Sequence, residues 1–115
     1  MAFAAPVLAG SAVSVYTCEQ DDAASEEDVI ATASEWLALA KGVKGGENLE
    51  VRVMFPVAAQ MGEDDFMFVV IAPSFAEWGL FQDNYAASAV ADEDKQFSNI
   101  ASCADSALWE SFKGK

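Results

Sequence analysis

The chain is expected to fold as one α+β domain of βαββαβ plan, because three features of its 115 residues agree. Segments of two-residue periodicity alternate with segments of three- and four-residue periodicity. Capping signals open the helical segments, and turn residues or proline separate the extended ones. The 53% hydrophobic composition, with eight Phe and three Trp, supplies apolar surface for one core and not for two. The expected division is an apolar N-terminal arm or signal-peptide remnant over residues 1–11 and a single domain over 12–115.

The first strand runs from Ala12 to Cys18, where Val13, Val15 and Thr17 alternate with Ser14, Tyr16 and Cys18. Ser25, followed by Glu26, Glu27 and Asp28, marks a helix start, since the hydroxyl and carboxylates satisfy free backbone N–H groups. Val29, Ile30, Ala33, Trp36, Leu37 and Ala40 then recur at helical steps, and Lys41-Gly42 closes the helix. After Lys44-Gly45-Gly46, the residues Leu49, Val51, Val53 and Phe55 alternate with Glu50, Arg52 and Met54 in a second strand, which Pro56 stops.

Residues 57–65 form a connection. Phe66 to Ala72 is apolar at every position and reads as a strand buried on both sides. Ser74 with Glu77 caps a second helix carrying Phe75, Trp78, Leu80 and Phe81, which bends or restarts near Asp83-Asn84. An alanine-rich helical stretch through Ala86, Ala89, Val90, Phe97 and Ile100 follows, with Asp92-Glu93-Asp94 facing solvent. The run from Ala104 to Phe112 alternates again and forms the last strand.

A formal charge of −13 would repel phosphates and anionic headgroups, so no nucleic-acid partner is expected. The longest apolar run, Phe66 to Pro73, is far short of the roughly 18 residues that cross a bilayer, so no membrane span is expected. Met1 to Ala12 is apolar or small throughout, and Gly10-Ser11-Ala12 would suit a signal peptidase, but a basic n-region is missing. A truncated export signal and an apolar arm leading into the first strand both fit.

A βαββαβ order commonly builds the ferredoxin-like four-stranded antiparallel sheet, with the first strand central and the fourth beside it. Cys18 ends the first strand and Cys103 begins the last, so antiparallel pairing makes them neighbours within disulfide reach. In that register Tyr16 opposes Asp105, Ser14 opposes Ala107 and Val13 opposes Leu108. Two free buried thiols, or a redox or metal pair, are the alternatives; a metal would want more ligands than two cysteines and no histidine. A structural disulfide persists in an oxidising compartment, so pairing implies a periplasmic or secreted protein.

The segment Phe68-Val69-Val70-Ile71-Ala72-Pro73-Ser74-Phe75-Ala76-Glu77-Trp78-Gly79, within this element order, resembles the third strand and following helix start of the dimeric α-β barrel superfamily. The resemblance implies sheet-to-sheet pairing of two subunits, and the apolar third strand independently asks for such cover, so a homodimer is expected. Haem-degrading and cofactor-free monooxygenases, polyketide cyclases and chlorite-decomposing haem enzymes share that fold. The absence of histidine from this chain excludes a histidine-ligated haem and a histidine general base. No cofactor and no metal are expected.

The candidate ligand-pocket residues are the large side chains Trp36, Trp78, Phe75, Phe81 and Tyr85, joined by Met54 and Met67. Tyr16, Arg52 and Asn84 would serve as polar handles, Arg52 by receiving a carboxylate. The same apolar residues would equally build a plain core, and Arg52 would equally pair with Glu50 in solvent. The acidic cluster from Glu19 to Asp28 lacks the spacing of a calcium loop and reads as a solvated helix start. No catalytic residue stands out. The expected function is a non-catalytic, exported homodimeric domain binding an apolar or aromatic small molecule or a partner protein. The alternative is a cofactor-free monooxygenase-like enzyme acting on an aromatic substrate, with Trp78 and Asn84 holding substrate and oxygen.

Overall fold

The computed structural model describes residues 10–58, 62 and 65–114. Most of the expected N-terminal arm and part of the 57–65 connection therefore lie outside the described residues. The elements are β1 (Ser11–Gln20), α1 (Glu26–Ala40), β2 (Glu50–Met54), β3 (Asp65–Ala72), α2 (Phe75–Tyr85), α3 (Ala89–Phe97) and β4 (Ala101–Ser111). The strands form one sheet in the order β2-β3-β1-β4 with every neighbouring pair antiparallel, which is a ferredoxin-like fold.

The helix starts follow from local chemistry. At α1 the Asp28 N–H donates to Ser25 Oγ (3.1 Å), and the Ser25 N–H donates back to Asp28 Oδ2 (2.9 Å). At α2 the Glu77 N–H donates to Ser74 Oγ over 3.1 Å. The second crossover is two helices rather than one bent helix. Ser88, extended at φ −106° and ψ 166° in the manner of an N-cap, separates α2 from α3, and its hydroxyl donates to the Tyr85 carbonyl at 2.6 Å.

One face of the sheet lies under the helices. Ala12 and Cys18 of β1 and Phe66, Phe68, Val70 and Ala72 of β3 are buried there against Val29, Ala33 and Trp36 of α1, Phe81 of α2, and Val90 and Phe97 of α3. Strand alternation sends the intervening residues to the opposite face, which no element among the described residues covers. Three rows cross that face: Met54, Met67, Thr17 and Asp105; Arg52, Val69, Val15 and Ala107; and Glu50, Ile71, Val13 and Trp109. Val69 at its centre is buried, Met67 and Ile71 are half-buried, and Trp109 is 61% exposed. The full two-sided burial expected of the third strand is thus reached only at Val69.

The pairing of β1 with β4 departs from a straight register. Cys18 opposes Cys103 and the two are bonded, S–S 1.99 Å, but the register then shifts between Cys18 and Thr17, so that Thr17 opposes Asp105. Ala104 is the extra residue of this irregularity. Beyond it Tyr16 opposes Ser106, Ser14 opposes Leu108 and Val13 opposes Trp109, one residue on from the straight register. A bulge re-aims every side chain that follows it. Here it brings Trp109 to the uncovered face, while Cys103 stays on the helix-covered one.

The turn after α1 packs directly onto α2. Gly45 has φ +97°, and a Cβ there would lie against the Phe81 N and the Glu77 carbonyl. At Gly46 a Cβ would meet the Ala40 carbonyl, so this pair of glycines is what lets the α1 C-terminus approach α2.

Candidate functional site

Between the sheet and the two helices of the second crossover lies a cavity of about 550 Å³. That volume is ample for a small organic ligand. Trp78, Phe81, Gln82 and Tyr85 form one wall, and their spacing of three, four and seven residues puts them on a single stripe of α2. Tyr16 of β1 with Phe68 and Val70 of β3 forms the floor, because all three point to the helix side of their strands. Trp36 enters from α1, Asp94 and Phe97 from α3, and the start of β4 closes the side with Ala101, Ser102 and Cys103.

The rings support one another. Trp36 meets Phe68 edge-on at 5.2 Å between centroids and Phe81 at 6.0 Å. Phe81 in turn contacts Trp78 at 6.2 Å and Tyr85 at 5.7 Å, and Phe68 contacts Tyr16 at 6.1 Å and Phe97 at 5.2 Å. Such pairs add about 0.5–1.5 kcal/mol each beyond burial, so the walls are held by packing. The Trp36 indole N–H donates to Asp94 Oδ1 over 2.8 Å, which fixes both side chains. Burial raises the Asp94 carboxyl above its ordinary value, and the indole bond partly offsets this by favouring the ionised form.

Of the sequence candidates, Tyr16, Trp36, Trp78, Phe81 and Tyr85 stand together on this cavity. The other five do not. Met54, Met67 and Arg52 occupy the uncovered face of the sheet, since they alternate with the helix-facing residues of their strands. Arg52 is exposed there, its Nη1 donating to the Val51 carbonyl over 3.4 Å. Phe75 is 41% exposed in the first turn of α2. Asn84 falls off the α2 stripe and donates to the Leu80 carbonyl at 2.8 Å in an exposed position.

The acidic triplet expected in solvent is divided by its helix. Asp92 is exposed, whereas Val90, Asp94 and Phe97, at four- and seven-residue spacing, face inward. That spacing was the available signal for Asp94. Phe97, Phe68, Gln82 and Ser102 carried none, because a cavity wall and a packed core have the same sequence pattern.

Glu93 faces α1. Its Oε1 is buried and, among the described residues, finds no hydrogen-bond partner. Burial raises the Glu93 carboxyl, and the adjacent Glu35 carboxyl raises it further. A raised carboxyl holds its proton more tightly in the folded than in the unfolded chain. Its stabilising effect is complete below the ordinary value of 4.5 and is lost as pH climbs through the raised one. Glu93→Gln is therefore expected to raise stability at pH 7 by about 0.5 kcal/mol, a figure kept small for a partly solvated pair, and to flatten the dependence on pH above 4.5. Urea midpoints measured from pH 4 to 8 check this; an equal slope in both proteins would contradict it.

No family model matches the chain, and no curated protein matches it. Among solved structures it is similar to a mutant chlorite dismutase from Candidatus Nitrospira defluvii, with 14% identity and a TM-score of 0.43 over 93% of this chain and 42% of that one. The chain thus spans less than half the length of that structure.

Proposed function

We propose that this chain is a non-catalytic, exported homodimeric domain that holds an apolar or aromatic small molecule between Trp36, Trp78 and the sheet. The observation that carries the reading is the cavity itself: about 550 Å³ of space walled by mutually packed aromatic rings. A plain core would close such space, because protein interiors pack to crystal density. The disulfide supports export, since such bonds persist in oxidising compartments. Among the described residues no helix is long and apolar enough to cross a membrane.

The uncovered sheet face supports the dimer. Val13, Val15, Val69 and Ile71 form an apolar centre that a second copy would cover through the same surface. Light scattering is expected to give twice the mass of one chain. Val15→Glu, which adds a charge at that centre, is expected to return the single mass with the fold retained. A single mass for the unaltered protein at high concentration would remove the dimer. The pocket is tested separately, by solvent extraction of the purified protein and mass spectrometry. A copurified apolar compound is expected, lost in a folded Trp78→Ala variant; equal retention there would place the ligand elsewhere. Oxygen uptake with quinol-type aromatic substrates would instead favour the enzymatic alternative, whose oxygen-holding Asn84 lies outside the cavity.

A further inference from the structure

Resting on the reading of this cavity as a ligand site, we infer that its ligand is an organic cation, a quaternary ammonium or protonated amine carrying an apolar body. The argument is the kind of charge its wall presents. Seven aromatic side chains, among them Trp36, Trp78, Phe81 and Tyr85, line the space, and a ring face is the negative end of its quadrupole. Among the described residues the one acidic side chain on the wall is Asp94, and no lysine or arginine lines it.

Asp94 is also held ready. One oxygen is occupied by the Trp36 indole N–H, which fixes the carboxylate beside the ring that would stack on the cation. Among the described residues its other oxygen accepts no hydrogen bond, which leaves it open to a second donor or a positive charge. Partial burial disfavours an isolated carboxylate, and a cation in the cavity would relieve that cost. An anionic ligand would find rings and a carboxylate and no positive group. The formal charge of −13 adds to this preference by drawing cations to the surface and repelling anions.

The test compares two probes of equal shape, phenyltrimethylammonium and its uncharged counterpart tert-butylbenzene, by tryptophan fluorescence and calorimetry on the full chain with its disulfide intact. The cation is expected to bind at least tenfold more tightly than the neutral probe. In Asp94→Asn, whose side-chain oxygen can still accept from Trp36, that ratio should fall to within about threefold of one. Equal or tighter binding of the neutral probe by the unaltered protein overturns the inference and leaves the cavity reading standing. So does an unchanged ratio in the variant. Binding of neither probe overturns both. The ratio measured on the unaltered protein does not depend on the variant folding.

Discussion

Replacing Cys18 and Cys103 together by alanine is expected to lower the unfolding free energy by about 4 kcal/mol, seen as a lower urea midpoint. The bridge joins residues 85 apart, and the chain-entropy estimate for a loop of that length is on the order of 4 to 5 kcal/mol. The structure gives a second reason for a large effect. β4 is an edge strand in which only Ala101 is buried, so its attachment rests on its ladder to β1 and on this bond. Cys103 also stands on the cavity wall, so the variant should hold its ligand less well. Unfolded, unreduced protein should show no free thiol. A urea midpoint indifferent to reductant would contradict the prediction.

Phe81→Ala is expected to cost about 3 to 5 kcal/mol, the range for deleting a fully buried aromatic ring. Phe81 is 1% exposed and contacts the rings of Trp36, Trp78 and Tyr85. Its removal would enlarge the cavity and free Trp36 and Trp78 to rotate, so the near-ultraviolet circular dichroism should weaken along with ligand retention. Phe81→Leu, which keeps much of the volume, should recover most of the stability. The Gly45-Gly46 turn lies against the same segment of α2, so Gly45→Ala should produce a related loss, about 2 kcal/mol from its left-handed φ and the contact with Phe81. A loss below about 1 kcal/mol for Phe81→Ala would mean that the site collapses around the missing ring.

Much of the fold was legible because it rests on local chemistry. Ser25 and Ser74 cap helices through bonds that need only the following turn. Two-residue alternation located β1, β2 and β4 and an unbroken apolar run located β3, and their ends differ from the expectation by three residues at most. The site was half legible. Tyr16, Trp36, Trp78, Phe81 and Tyr85 could be chosen for size and polarity, but Met54, Met67 and Arg52 shared those qualities and were turned to the other face. Which face of a strand meets the helices depends on elements distant in sequence, and residue type alone does not encode it.

Ala104 shows where local information ends. In β1 and β3 the contrast between covered and uncovered faces pins the register, since a slip of one residue would bury the wrong set. In β4 nearly every side chain is exposed on both faces, so no burial penalty distinguishes one register from the next. Sequence alone was enough to assign Cys18 and Cys103 to the first and last strands and make them neighbours. The extra residue beyond that bond, and with it the delivery of Trp109 to the uncovered face, is settled by the ladder between β1 and β4, a long-range pairing that no local pattern records.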